Sequence, residues 1–105
     1  MGFIAVYITN ESQDAAQSIA NQLLASRLIA CANIFPIQAS YHWQGQIANE
    51  NEYVALVKTI PEHWEKLKTK VTEIHPYQVP CIMKIEVEAN DEYEAWIRAE
   101  VRHGE

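Results

Sequence analysis

The sequence lacks the closely spaced ligands and nucleophile motifs that mark many metal sites and enzymes. It contains no CxxC or HxxxH pair, the spacing by which zinc and copper sites are usually recognised. Its two cysteines, Cys31 and Cys81, are far apart and do not form a disulfide framework. No GxSxG segment, glycine-rich phosphate loop or paired-carboxylate signature indicates a familiar catalytic centre.

Positive charge and long apolar runs are also scarce. Eight Lys and Arg stand against 14 Asp and Glu, for a formal net charge of -6. The densest basic cluster, Lys66, Lys68 and Lys70, has the pattern of a solvated helix face, so we expect neither a nucleic-acid partner nor an anionic membrane surface. No apolar run approaches the roughly 20 residues that span a bilayer. Residues 1–4 carry no basic leader, and we expect a cytoplasmic protein with reduced thiols.

The remaining composition is that of one globular domain over residues 1–105, with 49% hydrophobic and 21% charged residues. β-branched runs, helical apolar spacing and the four prolines predict the order β-α-β-β-α-β followed by a C-terminal helix. This order predicts an α+β split βαβ sandwich on an antiparallel sheet. The predicted elements are strand 3–9, helix 12–27, strand 31–44, strand 47–60, a helix from Pro61 to Pro76, strand 81–87 and a helix after Asn90.

The second strand is too long for a compact domain of this size. At about 3.3 Å per residue, residues 31–44 extend roughly 46 Å, whereas such a domain is about 35 Å across. Pro36 indicates a bend, a bulge or an edge position within it. The far half of the second hairpin must therefore bend back or project. Because exposed strand edges tend to pair with other chains, we predict that this hairpin pairs with a neighbouring subunit.

Few residues carry recognisable chemistry, and each has a structural alternative. Glu50, Glu52 and Lys58 share one face of the third strand if it has no bulge, where they could bind a cation or polar ligand or form a solvated or interfacial face. His75 ends the second helix before Pro76, as a simple helix-stop residue or as an oriented ligand. His63, beside Trp64, is expected to be exposed.

Four segments together resemble the CutA family of divalent-cation tolerance proteins. They are Leu28-Ile29-Ala30-Cys31-Ala32-Asn33-Ile34, Tyr41-His42-Trp43-Gln44-Gly45-Gln46-Ile47, Lys58-Thr59 and His75-Pro76-Tyr77-Gln78-Val79-Pro80. The resemblance spans nearly the whole chain, with the segments in the same order and at matching spacing. It implies a ferredoxin-like fold, a long hairpin between the second and third strands, and a homotrimer.

The resemblance also implies a non-enzymatic role in tolerance of divalent metals, chiefly copper, through a bound metal ion or small molecule. Among the family's copper ligands only His75 is matched, because the other positions hold Ile8 and Ile74; Cys31 remains a second metal candidate. The alternative is a module like the PII signalling proteins, which bind small metabolites between subunits. The residues expected to line such a cleft are Trp43, Glu50, Glu52, Lys58 and Tyr77.

Two other activities found on this fold are disfavoured by the loop after the first strand. An acylphosphatase needs a phosphate-cradling arginine in that loop, and a copper chaperone needs a CxxC pair there. The loop reads Asn10-Glu11-Ser12-Gln13, which is acidic and contains neither. A purely structural role stays open alongside the metal and metabolite readings.

Overall fold

A computed structural model describes residues 2–102, so Met1 and residues 103–105 of the predicted domain lie outside the described range. The described chain is an α+β sandwich in which two helices pack on one face of an antiparallel sheet. Its elements are β1 (Phe3–Asn10), α1 (Gln13–Ala25), β2 (Cys31–Trp43), β3 (Gln46–Thr59), a 3-10 turn (Pro61–His63), α2 (Trp64–Ile74), β4 (Ile82–Val87) and α3 (Asp91–Arg102). The strand order is β2-β3-β1-β4, which confirms the ferredoxin-like split βαβ prediction.

Local sequence explains where the elements begin and turn. Ser12 caps α1 by accepting a hydrogen bond from the Ala15 N–H at 3.0 Å. Gln44 and Gly45 have φ of 51° and 78°, the two positive angles that a two-residue type I′ hairpin turn requires. Pro36 pairs with Tyr53 in an uninterrupted register, so it occupies an edge position and makes no bulge.

The hydrophobic core lies between the sheet and the helices α1 and α2. Alternate residues of β1 and β3 point toward these helices, because side chains along a strand alternate between the two faces. The buried side chains of this layer are Ile4, Val6, Ile8, Ala16, Ile19, Leu23, Ile29, Ala55, Val57, Leu67 and Val71. A second cluster, Phe3, Ile60, Ile97 and Val101, holds α3 against the sheet.

The β2–β3 hairpin projects beyond the rest of the sheet. β1 stops pairing with β3 at Tyr53, whereas β2 and β3 stay paired from Ile37 and Glu52 out to Trp43 and Gln46. The described chain is accordingly elongated, with extents of 44 × 25 × 22 Å. The strand length required the far half of the hairpin either to bend back or to project, and in the structure it projects.

The expectation for His63 is wrong. This residue is buried, and its Nδ1 lies 3.3 Å from the Leu28 carbonyl oxygen and 3.4 Å from the Thr59 hydroxyl. The physical reason is that Pro61–His63 forms a 3-10 turn before α2 begins at Trp64, so the ring points inward toward the end of β3. A continuous α-helix from Pro61 had been expected there.

Candidate functional site

A cavity of about 500 Å³ lies along the projecting hairpin, from Glu52 at its base to Trp43 near its tip. One wall is the face of the hairpin that bears Tyr41, Trp43, Glu50 and Glu52, and the other is the 75–81 segment that leads from α2 to β4. Its lining residues are Thr9, Tyr41, His42, Trp43, Glu50, Glu52, Tyr77, Gln78, Val79 and Cys81. The volume falls within the range of roughly 300–1,000 Å³ that is usual for small-molecule sites.

A hydrogen bond from Tyr77 to Glu52 joins the two walls. The Tyr77 hydroxyl donates to Oε2 of Glu52 at 2.6 Å, a short distance typical of a bond to a charged acceptor. Glu52 is only 6% exposed, although the cavity reaches it. Burial, together with the bond and the charge of Glu52, raises the pKa of Tyr77, so the hydroxyl remains a proton donor at neutral pH.

His75 fixes the path of the 75–81 segment. Its Nδ1 accepts a hydrogen bond from the Tyr77 N–H at 3.1 Å, and its Nε2 lies 2.7 Å from the Thr9 carbonyl oxygen. Because a carbonyl only accepts, Nε2 must carry the proton and the ring is the neutral Nε2–H tautomer. The His75 ring also makes an edge-on contact with the Tyr77 ring, with centroids 4.6 Å apart. His75 therefore positions Tyr77 against Glu52.

The charge of the cavity is negative. Glu50 and Glu52 lie on one face of β3, as predicted, because the β2–β3 register has no bulge. The Glu50 carboxylate, as a hydrogen-bond acceptor and as a charge, raises the pKa of Tyr41. Burial and the Glu52 charge raise the pKa of the Cys81 thiol, which disfavours the thiolate. Among the side chains that the structure describes, those of residues 2–101, no Lys or Arg lines the cavity.

Four of the five residues expected to line a cleft meet in this cavity: Trp43, Glu50, Glu52 and Tyr77. Lys58 does not join them. It lies six residues along β3 from Glu52, roughly 20 Å at the usual rise, and pairs with Ala5 and Cys31. Sharing a strand face was therefore not enough to bring Lys58 to the carboxylates.

The two candidate metal ligands, Cys31 and His75, lie far from each other in the folded chain. Cys31 pairs with Lys58, and its Sγ is 3.2 Å from the Tyr93 hydroxyl, a contact that together with burial raises the pKa of Tyr93 to about 12. His75 lies beside Thr9, which pairs with Val54, roughly 13 Å along β3 from the position of Cys31. Within residues 2–102, no three His, Cys, Asp or Glu side chains cluster as a metal site would require.

The positions at which the resemblance expected further copper ligands belong to the core. Ile8 is fully buried, and Ile74 packs against the same cluster. Both nitrogens of His75 already have protein partners. A metal at His75 would therefore have to replace one of these hydrogen bonds.

Several lining residues were not anticipated from the sequence. Tyr41 shares its strand face with Trp43, so the alternation along β2 was a usable signal for it. Thr9, His42, Gln78, Val79 and Cys81 had no such signal. Four of them lie at the hairpin tip or on the irregular 75–81 segment, where no repeating pattern states which way a side chain points.

Comparison with known proteins decides the family. The family model of the CutA1 divalent ion tolerance protein matches residues 4–100. The chain belongs to the CutA1 family. The divalent-cation tolerance protein CutA of Pyrococcus horikoshii is 40% identical over 100 residues, covering 94% of this chain and 98% of that protein. Membership confirms the resemblance seen in the sequence and supports a role in divalent-cation tolerance.

Two other CutA1 relatives are named for different cellular locations. The structure of the periplasmic divalent cation tolerance protein CutA from Archaeoglobus fulgidus has a TM-score of 0.90 at 37% identity, covering 96% of this chain and 99% of that one. The chloroplastic protein CutA of Arabidopsis thaliana is 30% identical over 102 residues, covering 95% of this chain and 56% of that protein. Within residues 2–102, no helix is long and apolar enough to cross a membrane.

Proposed function

We propose that this CutA1 chain assembles into a homotrimer that acts in divalent-cation tolerance by binding a ligand in the cavity along its hairpin, without catalysis. The projecting hairpin is the observation that carries the assembly. Beyond Tyr53, the inner edge of β3 has no strand partner in residues 2–102, although residues 46–52 remain extended. An open ribbon of this length is stable against aggregation when another chain pairs with it or covers it.

An exposed apolar sheet face supports the same assembly. Phe35, Met83 and Ile85 lie on the face opposite α1 and α2 and are exposed in the single chain. The two edge strands of the sheet, β2 and β4, present different surfaces. If the β2 edge of one subunit contacts the β4 edge of the next, the interface is head-to-tail, and a closed assembly of such subunits is a ring. Three subunits is the number that the family resemblance implies.

Sedimentation equilibrium at micromolar concentration tests the assembly. We expect about 36 kDa, three times the 12.0 kDa chain mass. Ile85→Asp introduces a charge on the exposed sheet face, at a side chain 44% exposed in the single chain, and should yield monomer. Leu24→Asp is the matched control, because Leu24 is 38% exposed on α1 and should leave the mass unchanged. A wild-type mass of one chain, or an intact trimer of Ile85→Asp, would reject the proposed interface.

We propose further that the divalent cation bound by the protein is copper. Titration of tag-free, chelator-treated protein with Cu²⁺, followed by calorimetry, measures stoichiometry and affinity. Loss of binding in His75→Gln or Cys31→Ser supports the predicted ligands. Undiminished binding in both variants removes these residues as ligands, and absence of binding in the wild-type protein removes copper.

A module that binds a small metabolite between subunits, as PII proteins do, is the second candidate. The cavity favours it, because its volume and its aromatic walls suit an organic molecule better than a bare ion. Its described lining contains two carboxylates and no Lys or Arg, which disfavours phosphorylated metabolites. We therefore expect titration with nucleotides to give no binding heat at this site.

The non-enzymatic and cytoplasmic parts of the proposal rest on indirect support. The cavity holds one thiol, Cys81, whose pKa is raised, so it is a poor nucleophile at neutral pH. We propose a cytoplasmic location because two distant cysteines, Cys31 and Cys81, do not make the disulfide framework of a secreted domain. We propose neither nucleic acid nor membrane as a partner, in keeping with the net charge of -6.

A further inference from the structure

The Glu52 carboxylate is a buried negative charge without a positive partner among the side chains of residues 2–101. It is 6% exposed, and its one hydrogen bond within residues 2–102 comes from Tyr77. No Lys, Arg or His of these residues forms an ion pair with it. Buried carboxylates are normally paired, and an ionised carboxylate has about four acceptor positions. Because Glu52 lines the cavity, a ligand bound there can supply the missing partner.

We propose that the cavity selects a small organic cation, namely a protonated amine carried on an apolar body. This inference rests on the proposed function only in taking the cavity as the ligand site. Glu52 would receive the ammonium, with Glu50 on the same strand face adding a second negative charge. An ammonium is a compact donor of three hydrogen bonds, which suits a carboxylate that already accepts one bond from Tyr77.

The aromatic lining favours an organic cation over an inorganic one. Tyr41 and Trp43 line the cavity from the hairpin, and 41% of Trp43 is exposed in the single chain. The faces of such rings attract ammonium groups, Trp most strongly, and they also pack against hydrocarbon. Val79 adds an aliphatic surface on the opposite wall. A cavity of about 500 Å³ leaves room for an apolar body beyond the ammonium itself.

The donor set of the cavity suits a metal ion less well. Hard divalent cations take about six oxygen ligands, and the cavity supplies two carboxylates, one of which is bonded to Tyr77. Softer ions prefer thiolate and imidazole, but Cys81 is the one thiol there and the Glu52 charge opposes its ionisation. Among residues 2–102, no triad of metal-ligating side chains forms there or elsewhere.

A matched series of probes tests the charge requirement. Phenethylammonium, phenethyl alcohol and phenylacetate share an aromatic body and carry a positive, a neutral and a negative head group. We expect calorimetry or ligand-observed NMR on the wild-type assembly to show binding of the amine at least about tenfold tighter than of the alcohol, with no binding of the carboxylate. Equal binding of amine and alcohol would overturn the inference.

Two conservative variants locate the effect. Glu52→Gln keeps the size and the acceptor for Tyr77 but removes the charge, and it should weaken amine binding at least about tenfold without changing alcohol binding. Glu73→Gln makes the same change at an exposed residue of α2 outside the cavity and should leave all three affinities unchanged. If both variants bind the amine like the wild-type protein, the Glu52 site is rejected.

Cu²⁺ titration and sedimentation of the same samples separate this inference from the proposed function. An amine that binds to a trimer and is lost in Glu52→Gln, with Cu²⁺ binding unaffected, supports the inference. Cu²⁺ binding that is lost in Glu52→Gln, with no binding of the amine to wild-type protein, makes the cavity a metal site and overturns the inference alone. A trimer that binds neither probe overturns both ligand assignments and leaves the assembly intact.

Discussion

Replacing Tyr77 with Phe is the most direct perturbation of the site, because it removes one atom and keeps the ring. The Tyr77 hydroxyl donates to Glu52 at 2.6 Å, and its loss leaves a carboxylate that is 6% exposed without its hydrogen bond. Hydrogen bonds to charged groups contribute about 1.5–3 kcal/mol. Because Tyr77 is half-buried, the lower part of this range applies, and we expect the free energy of unfolding to fall by about 1.5–2 kcal/mol.

Tyr53→Phe is the matched control for this experiment. Tyr53 lies one residue from Glu52 on the other face of β3, and its hydroxyl has no hydrogen-bond partner within residues 2–102. We expect its removal to change the free energy of unfolding by less than about 0.5 kcal/mol. Urea unfolding followed by tryptophan fluorescence measures both variants, at one fixed subunit concentration because the stability of an oligomer depends on it.

Glu52→Gln, which removes the charge of the carboxylate, completes a double-mutant cycle with Tyr77→Phe. In a Glu52→Gln background, the Tyr77 hydroxyl bonds a neutral amide, and its removal should cost only about 0.5–1.5 kcal/mol. The reasoning is refuted if Tyr77→Phe costs as little as Tyr53→Phe. It is also refuted if the cost of Tyr77→Phe is the same in both backgrounds, since the bond would then not depend on the charge.

Three further changes follow from local geometry. Ser12→Ala removes the cap of α1 and should lower the free energy of unfolding by about 1 kcal/mol in urea denaturation, whereas no change would mean that the bond to Ala15 contributes nothing. Gly45→Ala meets no atom within 4 Å but keeps φ at +78°, so the same assay should show a loss of about 1 kcal/mol or more from backbone strain, and an unchanged midpoint would contradict the type I′ turn. Burial and the Glu52 charge raise the pKa of Cys81, so alkylation at pH 8, followed by peptide mass spectrometry, should be slower than for a free thiol and faster in Glu52→Gln. Equal rates at Cys81 in the two proteins would contradict the electrostatic part of that argument.

Most of the fold could be predicted because its signals are local. Alternation along β3 placed Glu50 and Glu52 on one face, and the continuous register bears this out and adds Trp43 of β2 to the same face. The length of residues 31–44 predicted a ribbon that the domain cannot enclose, and the structure shows it projecting. Periodicity states which face a residue occupies but not how far along the strand it lies from other elements, so Lys58 shares the face of the carboxylates but lies roughly 20 Å from Glu52 within one chain.

Residues next to prolines were the least predictable. His63 was expected on an exposed helix face and is buried, because Pro61 begins a 3-10 turn with a different periodicity from the α-helix. The 75–81 segment contains two prolines and no regular element up to Ile82, so its sequence does not specify its course. The bonds from His75 to Thr9 and to the Tyr77 N–H give it that course.

The sequence by itself determined the sandwich, the strand order, the family and the overlong hairpin, since each depends on the period of the apolar residues, on turn chemistry at Gly45 or on motif spacing. Only the tertiary structure decided that Tyr77 and Cys81 face the carboxylates across a cavity, and that Cys31 and His75 lie apart. The physical reason is that Glu52 and Tyr77 are 25 residues apart and meet through packing and hydrogen bonds that no local pattern encodes.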